Sequence, residues 1–144
     1  MPPTQSYLTQ ILAQLRGLHW SHWNTHWKVK GNAYYGDHLL FDRMYTSVAE
    51  EIDTLGEKIV SFYGPEAITD EGTLAETQRF LSLYPGLDLH LRAYNLEVHL
   101  QRSLKKAYDG IKASGDMTLG IDDFLMALAN SHETNIYLLR QRLR

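Results

Sequence analysis

The sequence predicts an all-α fold, a four-helix bundle with a short extra helix in the long connection between helices two and three. Apolar residues recur at spacings of three and four along four long segments, which is typical of amphipathic helices. No segment alternates apolar and polar residues with period two, so we expect no strands. The connection, over about residues 64–87, is long for a bundle and allows helix three to run parallel to helix two, a crossover topology.

Capping and helix-breaking residues indicate where the helices begin and end. The four long segments are residues 5–30, 35–63, 88–112 and 120–143. The residues expected to begin helices are Thr4, Thr73 with Glu76 at capping-box spacing, Asp88, and either Asp116 or Thr118. The residues expected to end them are Gly31-Asn32, Gly64-Pro65 and Pro85-Gly86. Thr73 is the expected start of the short extra helix.

Composition narrows the class of protein. A length of 144 residues with 44% hydrophobic residues predicts a single domain over residues 1–144. The absence of cysteine excludes disulfides, thiolate catalysis and thiolate metal sites, so any metal must be bound by His, Asp and Glu. A net charge of -3 does not indicate nucleic-acid binding. With neither a signal-peptide pattern nor a long apolar run, we expect a cytoplasmic protein outside the membrane.

One segment concentrates imidazole and indole side chains. LHWSHWNTHWKVKG, residues 18–31, holds three histidines and three tryptophans. On a helix turning about 100° per residue, the histidines fall within roughly 60° of arc and the tryptophans form the adjoining stripe. The residues concerned are His19, His22 and His26, and Trp20, Trp23 and Trp27. Histidine is the commonest transition-metal ligand, so the segment indicates a metal site, an interface, or both.

The second helix carries two pairs of potential ligands. His38 and Asp42 are four residues apart, and so are Asp53 and Glu57. Two carboxylates at this spacing repel each other unless a cation lies between them. Asp42 and Asp53 are about 16 Å apart along the helix axis, so one chain cannot bring both pairs into one site.

A two-fold axis brings the pairs together. If the second helix packs antiparallel against its own copy near Ser47 and Val48, each His38/Asp42 pair faces the Asp53/Glu57 pair of the partner. The contact then forms two identical sites. His26 on the first helix can complete each site. The predicted ligands are His26, His38 and Asp42 from one chain, with Asp53 and Glu57 from its partner. Nitrogen and carboxylate ligands suit iron, manganese or zinc.

The usual di-iron motif of a bundle interior is missing. That motif is Glu-x-x-His on each of two helices, and no glutamate in this chain has a histidine three residues later. A catalytic iron site is therefore expected outside the bundle interior.

The chain also resembles a known family. HWKVKG, followed by His38, Asp42, Asp53 and Glu57, is similar to the motif of the Dps proteins, mini-ferritins named as DNA-binding proteins from starved cells. The resemblance covers nearly the whole chain. It implies a ferritin-like bundle and a hollow dodecamer that stores ferric mineral and protects against oxidative damage. It also implies a ferroxidase that oxidises iron(II), two ions per intersubunit site, with hydrogen peroxide preferred over dioxygen.

The resemblance assigns roles to individual residues. It implies that the ferroxidase ligands are His26, His38, Asp42, Asp53 and Glu57. Trp27 matches the tryptophan beside them. It is expected to pack at the dimer contact and to intercept radicals near the iron. His22 departs from the motif as a further possible ligand that could shift the metal preference towards zinc or manganese.

Other residues receive less specialised predictions. Trp20 and Trp23 are expected to pack, and His19 is expected to lie outside the ligand set. His132 lies on the apolar stripe of the last helix and is expected to be a hydrogen-bonded core or interface residue. His90 and His99 have no carboxylate at ligand spacing and are expected at the surface. Asp116, Asp122 and Asp123 are expected to stabilise the start of the last helix, and the resemblance suggests a pore role for Asp122 or Asp123.

DNA binding is not favoured. Residues 1–15 contain no Lys or Arg, although some family members use a lysine-rich N-terminal extension. Arg140, Arg142 and Arg144 at the C-terminus are expected to complement the helix dipole or to contact a neighbouring subunit. The alternative function is a non-catalytic shell that compacts DNA or sequesters metal.

Overall fold

The computed structural model describes residues 3–144 and confirms the all-α prediction. The helices are α1 (Pro3–Lys28), α2 (Tyr34–Tyr63), α3 (Asp70–Leu81), α4 (Leu89–Ala113) and α5 (Leu119–Leu143). A 3-10 turn over Pro65–Ala67 follows α2. No strand occurs in this range. The four long helices are α1, α2, α4 and α5, and α3 is the short helix predicted in the connection.

Two of the predicted helix starts, Asp88 and Thr118, are confirmed, and two others, Thr4 and Thr73, are wrong. The side chain of Asp88 accepts hydrogen bonds from the first backbone N–H groups of α4, and Thr118 does the same for α5. The short helix begins earlier than predicted, because Thr69 rather than Thr73 accepts from the backbone N–H of Gly72 at 3.1 Å. Acidic residues in the first turn favour this earlier start.

Thr4 and Asp116 serve a purpose other than capping. Since α1 begins at Pro3, Thr4 lies inside its first turn. The Thr4 hydroxyl donates a hydrogen bond of 2.8 Å to Oδ2 of Asp116, in the turn before α5. The contact ties the start of α1 to a turn 112 residues later in the sequence.

The core lies between the apolar faces of the four long helices, and α3 packs across α1. A smaller apolar cluster lies where α1 ends and α2 begins. Its buried members are Val29, Phe41, Met44, Ala93 and Leu139. This cluster lies beside the segments of α1 and α2 that carry His26 and His38. No helix within residues 3–144 is both long and apolar enough to cross a bilayer.

Gly17 allows the close approach of α3 to α1. A Cβ atom at this position would lie 2.6 Å from Cδ2 of the buried Phe80. We expect Gly17→Ala to lower the free energy of unfolding by about 1–3 kcal/mol, because Phe80 must move. Chemical denaturation measures the change. Gly36→Ala is the matched control, since nothing lies within 4 Å of its added Cβ. Equal loss in both variants would contradict the close contact.

Candidate metal centre

His26 and His38 form a reciprocal pair between α1 and α2. Nδ1 of His26 donates to the backbone carbonyl of His38 at 2.7 Å, and Nδ1 of His38 donates to the carbonyl of His26 at 2.8 Å. The two rings are stacked, with centroids 3.6 Å apart. A carbonyl oxygen only accepts, so each Nδ1 carries the hydrogen. The Nδ1 bonds leave each Nε2 atom without a carbonyl partner, and in the neutral form of the ring this atom offers a lone pair to a metal.

Neighbouring aromatic rings restrict this pair further. Tyr34 stacks on His38, with ring centroids 5.2 Å apart. Tyr45 packs its ring against His26 at 5.3 Å and stacks on Trp23 at 5.1 Å. The imidazoles therefore have neighbours that limit their rotation.

Asp42 lies one turn after His38 on α2 and is half-buried. Its Oδ1 atom accepts a hydrogen bond of 3.2 Å from the hydroxyl of Thr46. Burial and the nearby Asp42 carboxylate together raise the pKa of Tyr45. Asp42 thus places a negative charge within the same region of α2.

Asp53 and Glu57 occupy a different part of α2. Both are exposed, and both line a surface hollow of about 630 Å³ together with Arg16 of α1. Within residues 3–144, no group of three or more His, Asp or Glu side chains is arranged to hold a metal ion. A site that uses both pairs of α2 residues therefore needs a second subunit.

The tryptophans beside the histidines differ in their surroundings. Trp20 is 63% exposed, so the prediction that it packs is not met within one subunit and depends on a contact with another. Trp23 is 40% exposed and packs on Tyr45, in agreement with the prediction. Trp27 is 62% exposed and lies beside Trp23. The three side chains give α1 an exposed aromatic surface next to His26.

His22 faces the bundle interior instead of the surface. It is fully buried, and its Nε2 atom donates to Oε1 of Glu97 at 3.1 Å. Residues four apart on a helix differ by about 40° in direction, which is enough to separate His22 from His26. Within residues 3–144 its Nδ1 atom has no hydrogen-bond partner, so the ligand role of His22 stays a prediction.

A charged network that the sequence did not predict lies inside the bundle. Glu97 of α4 accepts from Nδ1 of His132 at 2.6 Å, from Nδ2 of Asn135 at 3.0 Å, and from His22. His132 of α5 also donates from Nε2 to Glu51 of α2 at 2.8 Å. Each of the four long helices contributes at least one residue. The prediction that His132 is a hydrogen-bonded core residue is confirmed.

The two central groups of this network are both charged. Burial opposes the charge of His132, but Glu97 and Glu51 raise its pKa to about 10. Burial likewise opposes the charge of Glu97, but His132 and His22 lower its pKa to about 2. An imidazolium therefore lies between two carboxylates in the centre of the bundle.

A second buried carboxylate lies next to the His26–His38 pair. Asp37, in the first turn of α2, accepts hydrogen bonds from Nε and Nη2 of Arg142 at 2.7 and 3.0 Å. His90 of α4 brings Nε2 to 3.2 Å from the same carboxylate. Burial opposes the charge of Asp37, but Arg142 and His90 lower its pKa below the usual value. Asp37 is on another helix, so no spacing rule within α4 could have revealed it as a partner of His90.

The structure describes the surroundings of His90 and His99, which were predicted at the surface, and of Asp122 and Asp123, which were given a possible pore role. His90 is largely buried, so its predicted surface position is wrong. His99 is half-buried against Phe80, and the hydroxyl of Tyr84 lies 3.3 Å from its Nδ1. Asp122 is half-buried and accepts from the Tyr108 hydroxyl at 3.3 Å, whereas Asp123 is exposed. The pore role of either aspartate stays a prediction.

Comparison with known proteins supports the fold. No protein-family model matches the chain. Among curated proteins, General stress protein 20U of Bacillus subtilis is 26% identical over 122 residues, which are 83% of each chain. Among solved structures, a Dps protein from Bacillus brevis is 26% identical with a TM-score of 0.84, covering 98% of this chain and 95% of that one.

Two further structures extend the comparison. DpsC from Streptomyces coelicolor is 23% identical with a TM-score of 0.85, covering 99% of this chain and 84% of that one. The Dps protein from Vibrio cholerae, described as a member of a broad superfamily of ferritin-like diiron-carboxylate proteins, is 17% identical with a TM-score of 0.83, covering 98% and 89%. The chain therefore has the ferritin-like four-helix bundle of the Dps proteins, which confirms the resemblance indicated by its ligand motif.

Proposed function

We propose that the protein is a mini-ferritin of the Dps type. In this proposal it is a ferroxidase that oxidises iron(II), preferably with hydrogen peroxide, at dinuclear sites across a two-fold subunit interface. The ferric product is stored inside a hollow dodecamer. The observation that carries the proposal is the reciprocal His26–His38 pair, which leaves the two Nε2 atoms without a bond to the carbonyls. Within residues 3–144 of one subunit, these two side chains are not joined by a third His, Asp or Glu arranged to hold a metal ion.

The donor set fits iron as the substrate. The proposed ligands are His26, His38 and Asp42 of one subunit, with Asp53 and Glu57 of its partner. Carboxylates offset the charge of the cations, and imidazole nitrogens complete a mixed site of the kind that binds non-haem iron. Two iron(II) ions give up one electron each, while one hydrogen peroxide takes up two electrons and two protons to form two water molecules. Supplying both electrons together avoids the release of hydroxyl radical.

The exposed aromatic surface supports the two-fold contact. Trp20 and Trp27 are both more than 60% exposed in the single subunit. Large aromatic side chains of this kind are enriched in protein interfaces. In the proposed dimer, the partner covers them, and Trp27 lies close enough to the iron to intercept radicals with its indole ring.

We do not expect DNA binding by the C-terminal arginines to be the main activity. The guanidinium of Arg142 is already bound to Asp37, which leaves less free charge at this end of α5. A gel shift at low and moderate salt separates this proposal from the alternative of a DNA-compacting shell, because phosphate contacts weaken steeply as salt rises.

Stopped-flow absorbance tests the proposed activity. After iron(II) is added, we expect rapid formation of the ferric product, faster with hydrogen peroxide than with dioxygen, and a stoichiometry of two iron(II) per peroxide. Size-exclusion chromatography should show a large assembly. Metal analysis with anomalous scattering tests whether zinc or manganese occupies the site instead. A protein that stays monomeric, or that oxidises iron(II) no faster than buffer, would refute the proposal.

A further inference from the structure

The end of α2 that carries His38 lacks a side-chain cap. Ala33 is the N-cap residue, and no side chain bonds the free N–H groups there. The preceding turn is exposed and contains Gly31 with a φ of +94°. An uncapped helix end after an exposed turn tends to fray, so another contact must hold it in place.

Arg142 supplies that contact through Asp37. Asp37 is only 3% exposed, and its two carboxylate oxygens accept the two hydrogen bonds from the Arg142 guanidinium. His90 adds a third contact from α4 at 3.2 Å. The first turn of α2 is therefore tied to the last turn of α5 and to the start of α4. Only arginine can make this forked contact, because lysine presents a single ammonium group.

Asp37 is the residue immediately before His38. The backbone carbonyl of His38 accepts the hydrogen bond that orients the His26 ring, and the His38 ring bonds back to His26. A shift of this first turn would therefore disturb both imidazoles at once. Asp53 and Glu57, farther along α2, would stay in place.

We propose that Arg142 is a positioning residue for metal binding: by holding Asp37, it keeps the Nε2 atoms of His26 and His38 directed towards the iron. The inference rests on the proposed function. It extends the site to the C-terminal turn of α5, a part of the chain that contributes no ligand.

Cobalt(II) binding tests this proposal without requiring any oxidation. We expect Arg142→Gln to raise the Kd for cobalt(II) about tenfold, the usual size of such effects on metal ligands. Arg142→Lys should give an intermediate Kd, because it keeps the charge and loses the fork. Arg140→Gln is the matched control, since it removes the same charge from an exposed position in the same turn. In stopped-flow assays, Arg142→Gln should raise the KM for iron(II), whereas the rate at saturating iron(II) should equal that of the wild type.

The possible outcomes distinguish the positioning role of Arg142 from the proposed function itself. Equal cobalt(II) affinities for Arg142→Gln and Arg140→Gln would overturn the positioning role and leave the proposed function intact. A wild-type protein that binds no cobalt(II) and oxidises no iron(II) would instead overturn the proposed function. If Arg142→Gln fails to assemble, Arg142→Lys decides: weakened binding in the intact assembly supports the proposal, and wild-type binding overturns it.

Discussion

Glu97→Ala is expected to lower the free energy of unfolding by about 3–5 kcal/mol, the usual result of removing one partner from a buried ion pair. The variant leaves the His132 imidazolium buried with Glu51 as its only carboxylate. It also leaves the donors of His22 and Asn135 without an acceptor in a region closed to water. Both losses act in the same direction, because unpaired buried donors are themselves destabilising.

The same network predicts how stability depends on pH. The pKa of His132 is raised from 6.5 to about 10, so its contribution is fully present below pH 6.5 and is lost as the pH rises to 10. The pKa of Glu97 is lowered from 4.5 to about 2, so its contribution is fully present above pH 4.5 and is lost as the pH falls to 2. The network therefore stabilises the fold most between pH 4.5 and 6.5.

Denaturation at pH 6 and pH 9, at one fixed subunit concentration, measures the destabilisation by Glu97→Ala and the pH dependence that comes from His132. The wild type should lose stability between the two values, with a slope of at most about 1.4 kcal/mol per pH unit from one proton. Glu97→Ala should be less stable at both values and should show a smaller slope. Glu133→Ala is the matched control, since Glu133 is exposed and adjacent to His132. An unchanged slope in Glu97→Ala would contradict the charged network.

Local signals allowed the sequence to predict the helices and to indicate the proposed ligand pairs. Asp88 and Thr118 cap helices because their side chains reach N–H groups only two or three residues away. The pair His38 and Asp42 follows from helical spacing alone. The error at α3 is also local. Thr69 and Thr73 both have capping potential, and Asp70 and Glu71 in the first turn after Thr69 favour the earlier start.

Contacts between distant residues could not be predicted in this way. Glu97 pairs with His132 across 35 residues, and Asp37 pairs with Arg142 across 105. The position of Glu97 in the sequence nevertheless indicates that it has a buried partner. It lies on the otherwise apolar face of α4, next to the buried Leu96 and Leu100, where an unpaired carboxylate would be very costly. A buried charge on such a face indicates a partner on another helix, although it does not say which one.

His38→Ala and Asp53→Ala are each expected to reduce the oxidation of iron(II) close to the rate in buffer, because each removes a proposed ligand from both sites of the dimer. Assembly should persist, since neither residue belongs to the buried core. Stopped-flow absorbance after addition of iron(II) and hydrogen peroxide measures the loss. A variant that keeps the wild-type rate would remove that residue from the ligand set.

Coexpression of the two variants tests whether the site is shared between subunits. In a mixed dimer, one site receives native His38 from one chain and native Asp53 from the other, while the second site loses both. Random pairing makes half of the dimers mixed, so about a quarter of the wild-type activity should return. Mixing His38→Ala with His26→Ala is the matched control and should restore nothing, because both ligands belong to the same half of each site. If all ligands came from one chain, neither mixture would recover activity, since every chain in it would carry a damaged site.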